Sequence, residues 1–225
     1  MALPLRRRPA AVIFDMDGLL LDTEPLAARA WNQAAAALGV EFDAALALAL
    51  IGRNFADCAA MVRARYGASY PVDALLERWH ATYDAIVAQD GVSVKPGAIE
   101  LIDWLERNAI TSAVATSTRR ERARAKLVDA GLLSRFRDIV GGDEVARGKP
   151  APDIYVEAAR RLGVRADECV ALEDSVPGVR AALAARMTAI MVPDLHGPPV
   201  DLIALDLLVL PSLHDVLDHL TTFAR

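Results

Sequence analysis

Short apolar runs alternate with helix-length amphipathic segments along most of this 225-residue chain, and no other property constrains its fold as strongly. Strands are expected at Ala11–Met16, Ser112–Thr116, Asp138–Val140, Cys169–Leu172, Thr188–Val192 and Leu207–Leu210. Between them the spacing predicts helices over Ala98–Asn108, Arg119–Ala130, Asp153–Leu162, Val176–Arg186 and Leu213–Phe223. Gly131 and Gly163 stand where helix C-caps belong. Strands separated by helices cannot pair through tight hairpins; they pair in parallel, with the crossover helices packed on the faces. The expected fold is α/β, a doubly wound parallel sheet.

The alternation breaks once. Between Leu26 and about Gln89 only helical patterns occur, such as LAARAWNQAAAAL and VDALLERWHATYDAIV, punctuated by Gly39, Gly52, Gly67 and Pro71. More than sixty residues is far beyond an ordinary crossover. An inserted all-helical domain over 26–89 is therefore expected, with 1–25 and 90–225 forming the core.

Composition narrows the partners. Hydrophobic residues at 54% and charged residues at 24% describe an ordinary globular chain able to bury a sizeable core. A net charge of -5 argues against nucleic acid and anionic membrane surfaces as partners. The basic run RRERARAK (119–126) reads as the solvated face of a helix, and Arg6-Arg7-Arg8 as a solvated tail. Cys58 and Cys169 lack metal-like spacing and indicate no disulfide framework. No run approaches the ~20 apolar residues of a membrane span, and a cytoplasmic location is expected.

Polar residues gather at three strand ends, where parallel sheets form their sites. Asp15 and Asp17, two apart in DMDG, point to one side, and Gly18 lets the chain pass close to a ligand. Thr116-Ser117-Thr118 precede a helix whose N-terminus favours an anion, although an N-cap alone would explain them. Glu173 and Asp174 are adjacent carboxylates that repel one another unless a cation or proton intervenes; a hard divalent cation, Mg²⁺ above all, would resolve the conflict. Lys149 adds a positive charge at the mouth of a helix. Gly142 to Lys149 lacks the glycine spacing and the Ser or Thr of a P-loop, and neither GxGxxG nor GxSxG occurs.

Taken in order, DMDGLLLDTEP, VATST, GKPAPDIY and LEDSVPGV resemble the haloacid dehalogenase superfamily of phosphohydrolases, along essentially the whole chain. The similarity is greatest to the helical-cap branch with β-phosphoglucomutase and the sugar-phosphate and 2-deoxyglucose-6-phosphate phosphatases. It implies a Rossmann-like core with a helical cap that opens and closes over a small phosphorylated metabolite. It also implies that Asp15 is the nucleophile and Asp17 the general acid and base. Mg²⁺ would rest on the Asp15 carboxylate, the Asp17 carbonyl and Asp174, with Glu173 as ligand or support. Thr116 and the backbone at Ser117 would hold phosphate oxygens, and Lys149 would neutralise Asp15 and the phosphoryl group. Gly18, Glu24, Arg53 and Asn54 would lie on the substrate side.

Asp17, Glu173 and Asp174 disfavour the metal-free dehalogenases of this superfamily, and the absence of lysine from 26–89 excludes a Schiff-base phosphonatase. Hydrolysis is expected over mutase chemistry because Ala27 aligns with a β-phosphoglucomutase histidine that couples closure to catalysis, and alanine cannot hydrogen-bond the acid. A mutase, or a catalytically silent regulator of the same fold, stays open as an alternative. The expected assembly is a monomer or weak homodimer.

Overall fold

A computed structural model describes residues 8–50, 55–67, 69–194, 197, 202 and 207–222. β1 (Ala11–Phe14) leads into four helices, α1 (Glu24–Leu38), α2 (Ala44–Ala49), α3 (Phe55–Tyr66) and α4 (Val72–Asp90). Strand and helix then alternate through α5 (Ala98–Arg107), β2 (Thr111–Ala115), α6 (Arg120–Asp129), β3 (Asp138–Val140), α7 (Asp153–Leu162), β4 (Cys169–Glu173), α8 (Val176–Ala184), β5 (Thr188–Met191), β6 (Leu208–Val209) and α9 (Leu213–Thr221). All strand pairs are parallel, in the order β3-β2-β1-β4-β5-β6. Among the described residues no helix is long and apolar enough to cross a membrane.

The two faces of the sheet differ in bulk because side chains alternate along each strand. Val12, Phe14, Val114, Val170, Leu172 and Ile190 fill the side covered by α5, α6 and α9. Ala11, Ile13, Ala113, Ala115, Ala171 and Ala189 face α7 and α8, which answer with Ala158, Ala159, Ala181 and Ala182. Small residues on both partners let these helices lie close to the sheet, so the loop entering α7 is carried down onto the strand ends.

The expected strands are present but end differently. β1 stops at Phe14, two residues short of the expected limit: Gly18 turns at φ 87°, and the N–H groups of Leu20 and Leu21 fold back onto the Met16 carbonyl. Thr116 likewise falls just past β2, and the last strand contracts to Leu208–Val209. The expected helix to Arg186 ends at Ala184 because Arg186 takes φ 64°, outside the helical region.

The inserted cap holds together through its own apolar cluster, including Trp31, Ala34, Leu46, Val62, Leu75 and Leu76. Full burial of one such leucine contributes about 1.5–3 kcal/mol. An aromatic column also runs through it: Trp31 stacks on Phe42 at 4.7 Å and on Trp79 at 4.9 Å, and Trp79 on Tyr83 at 5.2 Å.

Candidate active site

The chain passes from β1 to β2 and β3 on one side, then crosses to β4 on the other. β1 and β4 therefore flank the point where winding reverses, the usual place for a crevice beyond the carboxyl ends. Asp15 leaves β1 here, with its N–H still bonded to the Leu172 carbonyl of β4 at 3.0 Å. Glu173 and Asp174 leave β4 beside it.

Lys149, only 2% exposed, enters from the loop before α7 and donates to Asp15 Oδ1 and, at 2.6 Å, to Glu173 Oε1. The same Glu173 oxygen accepts the Tyr155 hydroxyl at 2.5 Å. Its other oxygen accepts from the Ser175 hydroxyl at 3.0 Å and the Ser175 N–H at 3.3 Å, while the Ser175 hydroxyl accepts from Gly178 N–H at the start of α8. A Cβ at Gly178 would run into the Glu173 carboxylate. Glu173 is thus fully engaged in fixing Lys149.

Asp174 is buried, yet its Oδ1 has no hydrogen-bond partner. Oxygens of Asp15, Glu173 and Asp174 lie within 4.8 Å of one another. Burial pushes Asp15 up to about 8; Lys149 opposes this and Glu173 adds to it. Burial, and then the charges of Asp15 and Glu173, drive Asp174 well above the carboxylate range. Ionised together, three carboxylates facing one lysine carry two negative charges in excess, which one divalent cation would offset. An oxygen-only donor set with an orphaned oxygen suits Mg²⁺ or a similarly hard ion. Gly18 allows the close fit, since a Cβ there would collide with Asp174 Oδ2.

Asp17 belongs to a second network. Its Oδ1 accepts from Lys126 Nζ at 2.7 Å, and its Oδ2 from the Thr118 hydroxyl at 2.7 Å and the Thr116 hydroxyl at 3.4 Å. Burial raises Asp17, but Lys126 and Thr118 outweigh it and hold the carboxyl below its ordinary range. Glu24, buried at the start of α1, is pushed up to about 7 by burial and by the charges of Asp17 and Asp194. At the rim Lys95 Nζ pairs with Asp194 at 2.6 Å.

Asp15, Asp17, Gly18, Glu24, Thr116, Lys149, Glu173 and Asp174 are therefore gathered around the carboxyl ends of β1, β2 and β4, with Ser117 following Thr116. Arg53 and Asn54 lie outside the described residues. The reading of 119–126 as a solvated face requires correction, because Lys126 turns inward and is 12% exposed. Its place three residues after buried Ala123 and beside buried Leu127 was the available signal. Tyr155 and Ser175 were also not anticipated, nor was the bond from Thr118 to Asp17.

Known proteins are similar to this chain in sequence and fold. The bifunctional riboflavin kinase/FMN phosphatase of Arabidopsis thaliana is 32% identical over 85% of this chain, which spans only 50% of that protein's length. The fructose-1-phosphate phosphatase YqaB of Escherichia coli (strain K12) is 33% identical, with 82% of this chain and 97% of that protein aligned. The crystal structure of CbbY from Rhodobacter sphaeroides in complex with phosphate superimposes with a TM-score of 0.78 at 31% identity, covering 95% of this chain and 99% of that one. A family model described as haloacid dehalogenase-like hydrolase matches residues 9–186, from the approach to β1 to the turn after α8, and the chain belongs to that family.

Proposed function

We propose that the chain is a Mg²⁺-dependent phosphomonoester hydrolase that acts on a small phosphorylated metabolite, a sugar or polyol phosphate, through an aspartyl phosphate on Asp15. One observation carries the reading: Lys149 is buried against Asp15 and Glu173, beside an Asp174 oxygen that has no partner. That site combines a nucleophile, a fixed positive charge and a cation-shaped deficit.

An Asp15 oxygen attacks phosphorus, the bond from phosphorus to the leaving oxygen breaks, and Asp17, whose protonated form the negative charge of the bound phosphoryl group favours against the pull of Lys126, gives that oxygen a proton. Asp17 then takes a proton from water, which attacks the phosphorus of the aspartyl phosphate, releasing inorganic phosphate and restoring Asp15. Lys149 offsets charge on the phosphoryl oxygens, Thr116 and the Ser117 backbone hold them, and Glu173 keeps Lys149 in place. The Asp15 carboxylate, the Asp17 carbonyl and Asp174 would hold Mg²⁺, which when bound supplies further charge stabilisation to the phosphoryl group. The cap, residues 26–89, would cover the substrate, with Glu24 at its hinge.

The phosphatase names of the relatives and the phosphate bound to CbbY support the substrate class. Ala27 favours water over a sugar hydroxyl as acceptor: its carbonyl merely receives the Trp79 indole N–H at 3.3 Å. The test follows phosphate release from fructose 1-phosphate, glycerol 3-phosphate and hexose 6-phosphates with Mg²⁺ and with EDTA. EDTA should abolish turnover, and Asp174→Ala should abolish both turnover and the Mg²⁺-induced rise in Tm. Asp15→Asn should be inactive, and mass spectrometry should find the trapped phosphoryl group on Asp15. Full activity in EDTA or an active Asn variant would refute the reading. Conversion of β-glucose 1-phosphate to glucose 6-phosphate with little free phosphate would instead establish a mutase.

A further inference from the structure

Lys126 has no part in the chemistry described so far, yet it sits where two parts of the molecule meet. It lies on α6 of the core. Its ammonium donates to Asp17 Oδ1 at 2.7 Å and stands over the ring of Tyr83, on cap helix α4, at 4.7 Å from the centroid. An ammonium on an aromatic face is attracted by the ring's negative π surface, more strongly where water is excluded.

Tyr83 is itself held at the end of the Phe42, Trp31, Trp79 column. One turn earlier on α6, Arg122 donates to Asp84 and lies 2.7 Å from His80 Nδ1, so the same two helices grip each other a second time. Asp17 can turn about its side-chain bonds, and donors on both oxygens fix it at one setting. Thr118, from the core, holds one oxygen; Lys126, seated on the cap, holds the other.

Resting on the phosphatase reading, we propose that Lys126 is a positioning residue that transmits the place of cap helix α4, through the Tyr83 ring, to the carboxylate of Asp17. The cap then acts on the proton-transfer group itself as well as enclosing the substrate. A lysine that served only to clamp cap to core would affect all substrates alike.

The distinction is measurable because phenolate leaving groups need the acid to different degrees. p-Nitrophenolate departs with little protonation, whereas phenolate, from an acid of pKa about 10, needs far more help. kcat/KM should be compared for p-nitrophenyl phosphate and phenyl phosphate, since it reports the step in which the leaving group departs. Lys126→Met should lower kcat/KM about 30-fold or more with phenyl phosphate and less than about threefold with p-nitrophenyl phosphate, a part of the usual general-acid effect. Tyr83→Leu should bias the two substrates in the same direction by a smaller factor, and Tyr83→Phe, which keeps the ring, should recover most of that loss. Arg122→Ala, which loosens the same helix pair, should bias the two substrates in the direction of Tyr83→Leu but by a smaller factor.

Equal losses with Lys126→Met, or a gain on phenyl phosphate, would overturn the inference while leaving the phosphatase reading intact. If Lys126→Met does not fold, the Tyr83→Leu and Tyr83→Phe pair decides by the same criterion. A folded wild-type protein inactive on both esters would overturn the phosphatase reading, and this inference with it.

Discussion

The core and the cap solve the same packing problem with opposite use of charge. In the core, charged groups are inside: Lys149, Asp15, Glu173 and Asp174 are all buried, and each depends on the others. In the cap, stacked aromatic rings and apolar side chains lie inside, while pairs such as Arg63–Asp73 and Arg65–Asp43 stay near the surface. The residues that hold the core's strand ends together are thus those proposed to carry out its chemistry. The cap's surface pairs can change without touching those buried groups, whereas Tyr83, under Lys126, is where the cap reaches the core's polar network.

The largest expected effect strikes at that contrast. Lys149→Met should cost about 3–5 kcal/mol of stability, because it strands buried carboxylates without their cation, and should abolish turnover as well. Arg63→Ala in the cap should cost less than about 1 kcal/mol, the range of exposed ion pairs. Urea unfolding measures both, and similar losses would erase the distinction.

The next comparison asks whether the two regions unfold together. Leu101 in the core and Leu76 in the cap are both buried, and truncating either to alanine should cost about 2–5 kcal/mol. Hydrogen exchange should separate them: Leu76→Ala should accelerate exchange in α1–α4 and spare the sheet, whereas Leu101→Ala should accelerate both. Uniform acceleration by Leu76→Ala would mean one cooperative unit.

A smaller effect than the leucine truncations lies at the junction. Burial raises Glu24 from about 4.5 to about 7, so between those values the folded chain binds more protons than the unfolded one. Stability from this group is complete below the lower value and is lost as pH rises through the upper one. Glu24→Gln should therefore flatten the pH dependence of Tm in metal-free buffer, gaining roughly 1–3 kcal/mol at pH 8 relative to pH 4. An unchanged profile would show that Glu24 is not held in the low-dielectric junction described above.

The strands were legible because both faces of a parallel sheet are covered, so each strand appears as an unbroken apolar run. Their ends were less so: Met16 continues the apolar run of β1 although its carbonyl already accepts from Leu20 and Leu21. Asp15, Asp17, Lys149, Glu173 and Asp174 could be found in sequence because each lies at or close to a strand end or a few residues ahead of a helix. Lys126 could not be placed so simply, since its partners, Asp17 and Tyr83, lie far away in the chain. Glu24 was legible as a polar residue at a hinge, but its burial depends on how α1 meets the core.

The position of β1 at the middle of the sheet also sets a timetable. It is made before both of its neighbours, one of which begins at Thr111 and the other at Cys169. At about 5–20 residues per second, a ribosome takes roughly 8–30 s to travel from Ala11 to Cys169. The helices of the cap, whose contacts are local, can form during that wait; β1, carrying Asp15 at its end, cannot yet be enclosed. Asp15, the proposed nucleophile, is thus translated well before its surroundings are complete.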